Sequence, residues 1–292
     1  MAATRLARAK VNLFLHVGAL QPDGYHPISS LMTFADIGDV VSIEDNAAFG
    51  FVIDGPFSAG LGESADNLVL KARDAVASAF RPGWSPFTLR LNKQLPIASG
   101  IGGGSADAAA AMRLMAARSG LNADEAGLMR IAGGLGSDVP ACLVGQARLG
   151  QGRGDELSAP PAFPDLPAVL VNPLLPSPTG GVYRGYDDAG APGDAEAPTW
   201  PSDLASVEAV AAFLAGCRND LEAPAIALQP AISEVLAALR GRPQTLLARM
   251  SGSGATCFAI CAAPAERDAL AASLAKTHPE WWIRPCVLAG SS

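Results

Sequence analysis

Apolar and polar residues alternate in part along Val11-Asn12-Leu13-Phe14-Leu15-His16-Val17, and the run stops at Gln21-Pro22-Asp23-Gly24. That is the pattern of a strand followed by a turn. Residues two apart on a strand share a face, so Lys10 and Asn12 point the same way. Residues 30–43 continue in Val- and Ile-rich segments interrupted at Gly38-Asp39, which predicts further strands. The period then becomes helical over residues 67–80, with Asp66 placed to cap the helix, and residues 87–91 read as a short strand. Residues 105–118 form an alanine-rich helical stretch with Gly120 as its stop. Asn122-Ala123-Asp124-Glu125 has capping-box spacing for a second helix that ends near Gly133-Gly134. The loop Gly136-Ser137-Asp138-Val139-Pro140 and an apolar segment over 141–144 follow.

The texture changes beyond residue 150. Residues 186–203 are rich in Pro, Ala, Gly and Asp and read as a poorly ordered surface excursion. Helices are predicted over 205–214, 220–228, 231–239 and 265–276, and strands over 256–261 and 283–288. Helices and strands mix without a βαβ rhythm, so the fold class is α+β, in two lobes divided near residue 150. There is no internal repeat.

Composition narrows the classes. A chain of 292 residues suits two modest lobes, and 49% hydrophobic against 17% charged residues supplies a packed interior. With 28 acidic and 21 basic residues the net charge is -7, which disfavours broad nucleic-acid binding. Phosphate must then be gripped locally. Five cysteines without a CxxC pair fit buried, reduced thiols. Arg5, Arg8 and Lys10 precede an apolar run as in a signal peptide, but Asn12 and His16 interrupt it and no cleavage site follows. The expectation is a soluble cytoplasmic protein.

The chemistry concentrates in Pro96-Ile97-Ala98-Ser99-Gly100-Ile101-Gly102-Gly103-Gly104-Ser105-Ala106, a glycine stretch running directly into the alanine-rich helix. Unpaired backbone N–H groups and the helix dipole make such a junction attractive to phosphate, and glycines let the backbone approach it closely. A tight turn is the competing reading. The P-loop pattern is absent because no Lys follows the glycines, and a dinucleotide pattern starting at Gly100 meets Ser105 in place of its last glycine. His16, His26 and His278 are too scattered for a zinc site.

Pro96-x-x-x-Gly100-x-Gly102-x-x-Ser105 resembles the ATP-binding motif of the GHMP kinase superfamily, named for galactokinase, homoserine, mevalonate and phosphomevalonate kinases. Lys10-Val11-Asn12 and Ser251-Gly252-Ser253-Gly254-Ala255 resemble two more of its motifs, in the expected order. Pro22-Asp23-Gly24-Tyr25-His26 and Gly136-Ser137-Asp138-Val139-Pro140 are similar to the branch that phosphorylates a CDP-linked methylerythritol. Ala106, Ser137 and Ile97-Ala98-Ser99 depart from the usual residues, and none of these departures removes a catalytic group.

The resemblance implies a two-lobe GHMP kinase fold, with a ribosomal protein S5 domain 2-like nucleotide lobe over 1–150 and a ferredoxin-like substrate lobe over 151–292. It implies ATP and Mg2+ as cofactors, and phosphorylation of the 2-hydroxyl of the CDP-alcohol in the non-mevalonate isoprenoid precursor pathway. Alternatives are a homoserine or mevalonate class kinase, or a silent metabolite sensor of the same fold. Asp138 is implied as the base for the substrate hydroxyl, with Lys10 orienting it and offsetting charge on the transferred group, and with Asn12 bonding substrate or Asp138. Residues 96–106 would bind the phosphates, and Asn67 and Lys93 would contact the nucleotide. Tyr25 and His26 would receive the cytosine, with Tyr183 on its opposite face. A small molecule is the expected partner, with neither nucleic acid nor membrane, acting on a monomer or weak homodimer. Each residue has a plainer reading: Asp138 and Asn67 as helix caps, Lys10 as a solvated strand-end lysine, and Tyr183 as a loop aromatic.

Overall fold

The computed structural model describes residues 3–61, 66–80, 83–119, 126–190 and 193–291. The expected helix stop at Gly120 and the capping box at 122–125 lie outside the described residues. The chain divides into two compact units that do not follow one another in sequence. The first comprises residues 1–9, 37–97 and 102–145, and the second 10–36, 98–101 and 146–292. A single break near residue 150 therefore does not separate them, because the long strands β1 (Ala3–Asn12) and β3 (Ile28–Asp45) each supply residues to both.

In the first unit β3 pairs antiparallel with β5 (Phe87–Asn92), which pairs parallel with β4 (Gly50–Asp54). Helices α1 (Leu68–Phe80), α2 (Gly103–Arg118), α3 (Ala126–Leu135) and α4 (Val139–Val144) pack on one another. β3 runs straight through Gly38-Asp39, where a break was expected. Gly38 is there for close approach: a Cβ on it would lie 2.1 Å from the Ala7 carbonyl oxygen. The α1 cap is Asn67, whose Oδ1 accepts the Val69 N–H at 2.9 Å, while Asp66 pairs with Lys71 instead.

The second unit holds β2 (His16–Val17), β6 (Arg148–Gln151) and β7 (Glu156–Ser158) beside the first half of β3, and a four-stranded antiparallel group. That group is β8 (Leu166–Asn172), β9 (Leu247–Met250), β10 (Cys257–Ile260) and β11 (Trp282–Leu288), in the spatial order β11-β8-β10-β9. Helices α5 (Thr179–Asp188), α6 (Val207–Ala215), α7 (Glu222–Leu228) and α8 (Ala231–Arg240) lie between β8 and β9, and α9 (Pro264–Thr277) lies between β10 and β11. Strands in the order fourth, first, third, second, linked β-α-β-β-α-β, are the ferredoxin-like arrangement that the family resemblance implied. α8 and α9 pack on this group, and β8 is buried along its whole length.

Residues 193–203 carry no regular element, yet they are tied down. The Tyr186 hydroxyl accepts the Gly193 N–H, the His16 ring donates to the Glu196 carbonyl at 2.8 Å, and Arg218 binds Asp194 at 3.0 Å. Trp200 packs 4.9 Å from the Phe213 ring. Polar anchors and one tryptophan order a stretch whose composition predicts little order.

Candidate active site

The glycine stretch is twisted by three positive φ angles, at Ala98 (49°), Gly100 (75°) and Gly102 (62°). Gly102 is the left-handed N-cap of the 16-residue α2, and no side chain caps that end. The N-terminal N–H groups of a long helix are thereby left to a ligand or solvent. Residues 98–101 are held within the second unit: Thr256 N–H donates to the Ser99 carbonyl at 3.0 Å, the Ser251 hydroxyl to Gly100 at 3.0 Å, and Lys10 N–H to Ile101 at 2.9 Å. A Cβ on Gly100 would meet the Ser251 oxygen at 2.5 Å, so glycine is required there both for space and for its positive φ. The late glycine motif thus braces this part of the loop.

Lys10 and Asn12 share a face of β1, as their spacing predicts, and both are buried. The Lys10 ammonium donates to Asn12 Oδ1 at 2.8 Å, Asn12 Nδ2 donates to the Ser30 hydroxyl at 2.7 Å, and Ser30 donates to the Phe14 carbonyl at 2.6 Å. An ammonium only donates, so this chain fixes which way the Asn12 amide faces. Lys10 is therefore a held, buried cation and not a solvated strand-end lysine.

In the first unit Asp138 stands at the N-cap position of α4 but makes no side-chain cap hydrogen bond. The plain helix-cap reading of this residue is not realised. Asn67 does spend its side-chain oxygen on capping α1. Lys93 is 3% exposed, and its ammonium is bound by the carboxylates of Asp39 and Asp107. Burial pulls the Lys93 pKa down, and the two carboxylates more than reverse that.

In the second unit the His26 ring lies 5.0 Å from Tyr183 and 5.7 Å, edge-on, from Tyr186. His26 Nε2 contacts Asp187 Oδ1 at 2.7 Å. Tyr25 is about half exposed, and the Arg153 guanidinium lies over its ring at 3.4 Å from the centroid. Of the residues singled out in the sequence, the structure brings Lys10 beside Asn12 and His26 beside Tyr183, while Arg153, Asp187, Ser30, Asp39 and Asp107 were not singled out. Asp107 had a signal, as a lone acid inside the alanine run of α2. The others are brought in by β3, by the turn after β6 and by α5.

Among the described residues no group of three His, Cys, Asp or Glu is arranged to hold a metal ion, and no helix is long and apolar enough to cross a membrane.

The sequence matches the GHMP kinases N terminal domain over residues 67–146 and the GHMP kinases C terminal domain over 203–280. It is 52% identical to a 4-diphosphocytidyl-2-C-methyl-D-erythritol kinase of Caulobacter sp. (strain K31) over 285 residues, 97% of each chain. It is 50% identical to the protein of the same name from Caulobacter vibrioides (strain NA1000 / CB15N), over 99% of this chain and all of that one. A crystal structure of 4-(cytidine 5'-diphospho)-2C-methyl-D-erythritol kinase superposes with a TM-score of 0.79 at 31% identity, covering 99% of this chain and 100% of that one. The motifs, the ferredoxin-like strand order and these likenesses together show that the chain belongs to the GHMP kinases, ATP-dependent phosphotransferases, and within them to the 4-diphosphocytidyl-2-C-methyl-D-erythritol kinase family.

Proposed function

We propose that this chain transfers the γ-phosphoryl group of ATP to the 2-hydroxyl of 4-diphosphocytidyl-2-C-methyl-D-erythritol, in the cytoplasm. The observation that carries the reading is 52% identity over 97% of both chains with a protein named for that substrate. The buried Lys10-Asn12-Ser30 chain supports it, because phosphoryl transfer depends on fixed positive charge and alignment more than on covalent help.

The roles proposed are those that the family resemblance implies. The substrate oxygen forms a bond to phosphorus as the bond to ADP breaks, and the hydroxyl proton passes to Asp138. Lys10 orients Asp138 and offsets charge on the transferring group, with Asn12 completing the contact to substrate. Residues 96–106 take the phosphates on backbone N–H groups, and Asn67 and Lys93 shape the nucleotide site. Tyr25, His26 and Tyr183 receive the cytosine by stacking and by hydrogen bonds at the base edge. Mg2+ is proposed to arrive with ATP, neutralising charge on its β- and γ-oxygens, since a magnesium bound this way takes its ligands largely from phosphate and water.

ADP release measured over a panel of alcohols tests this reading. Turnover should depend on the CDP-alcohol, and should fall by about 10²–10⁴ in Asp138→Asn with ATP binding kept. Turnover on homoserine or mevalonate in its place would refute the substrate assignment, and full activity in Asp138→Asn would refute the base.

A further inference from the structure

Three charged side chains of the first unit lie almost wholly out of water: Asp39 at 0%, Asp107 at 2% and Lys93 at 3% exposure. Lys93, just past β5, donates to Oδ2 of Asp39 on β3 at 2.5 Å and to Oδ2 of Asp107 on α2 at 2.8 Å. The other Asp39 oxygen accepts the backbone N–H groups of Gln94 and Leu95, at 2.6 and 2.8 Å. Asp107 Oδ1 is buried with no hydrogen-bond partner among the described residues.

One ammonium and two carboxylates would leave a net negative charge in this dry site, a costly arrangement. A proton held on Asp107, whose Oδ1 has no other partner among the described residues, avoids it. Burial accordingly pushes Asp107 up to about 8, with Lys93 opposing and Asp39 reinforcing the rise. The other charges nearby are engaged elsewhere. Arg113 and Arg118 of α2 bind the Val144 carbonyl and Asp45, Lys71 and Arg73 of α1 bind Asp66 and Asp74, and α4 carries no charge.

The cluster holds the chain on both sides of the glycine stretch. Gln94 and Leu95 lead into it, and Asp107 sits one helical turn beyond Gly103, the first residue of α2. A Cβ on Gly103 would lie 3.0 Å from the Lys93 ammonium and 3.6 Å from Asp39 Oδ2, so the loop backbone rests directly on the cluster. We propose that Asp39, Lys93 and Asp107 form a neutral, proton-holding clamp that sets the ends of the ATP loop. Lys93 is then a positioning residue and not a nucleotide ligand, and loss of the Asp107 proton weakens ATP binding. The inference rests on the reading of residues 96–106 as the ATP site and adds to it a device that ties nucleotide affinity to pH. An extra negative charge beneath the loop opposes the triphosphate directly.

The test is the Kd for MgATP between pH 7 and 9.5 in the wild-type chain, Asp107→Asn and Asp107→Ala, with Tm followed in parallel without nucleotide. Asparagine imitates the protonated acid in shape and charge. The wild-type Kd should rise about tenfold across this range, following a single titration. Asp107→Asn should bind ATP with a flat profile, and Asp107→Ala should bind weakly throughout.

The stability arm follows from the sign of the shift. A carboxyl whose folded pKa lies above its unfolded value gives stability that is lost as pH rises through the folded one. Wild-type Tm should therefore fall relative to Asp107→Asn up to about pH 8 and then run parallel to it. A wild-type Kd without the rise, the same rise in Asp107→Asn, or matching Tm profiles would overturn the clamp. Absence of ATP binding by the wild type at every pH would overturn the nucleotide site itself.

Discussion

The two buried lysines, Lys10 in the second unit and Lys93 in the first, are equally hidden at 3% exposure and differ in what they touch. Lys10 donates to the Asn12 amide, two residues away on its own strand, whereas Lys93 is held by the acids of two other elements, β3 and α2. A cation bound by two buried acids is committed to the fold, and removing it strands their charge. Burial alone therefore does not mark a lysine as catalytic: Lys93 is tied into the packing of its unit by two acids.

Substitutions that should widen or close this contrast can be ordered by size. Lys93→Met leaves Asp39 and Asp107 buried without their cation and should lower stability by about 3–5 kcal/mol, read from denaturant unfolding. A loss under about 1 kcal/mol would mean that the carboxyls neutralise themselves. Lys10→Met should act on chemistry, lowering kcat by about 10²–10³ with the Kd for ATP little changed, in steady-state and binding assays. Equal losses in kcat and ATP affinity would erase the distinction. Tyr25→Ala should raise KM for the CDP-alcohol by about 1–3 kcal/mol of lost stacking and leave KM for ATP unchanged. Ser30→Ala, at the far end of the Lys10 chain, should cost about 1 kcal/mol of stability, seen as a small drop in Tm.

The same contrast explains what could be read in the sequence. Lys10 and its partner are two residues apart, so strand periodicity places them together. Lys93 finds its partners 54 and 14 residues away, through β3 and α2, and no local pattern carries that. Gly38-Asp39 looks like a turn because glycine beside aspartate usually is one. In the fold Gly38 admits a neighbouring carbonyl and Asp39 is a buried acid. The largely apolar α6 and the amphipathic α8 were legible to within a few residues. β8 was missed because a strand buried on both faces shows no alternation, and α5 because prolines and glycines surround its start. The contact of His26 with Tyr183 had no local signal, since the two residues lie 157 positions apart.

The most direct test of the account is the proton-coupled 31P spectrum of the product formed from ATP and the CDP-alcohol. Carbon 2 of the substrate bears a methyl group and no hydrogen, so a phosphate on its hydroxyl has no proton three bonds away. The account predicts one new phosphomonoester resonance without three-bond splitting, growing in step with ADP. A split phosphomonoester resonance, or ADP released with no new phosphomonoester, would contradict it.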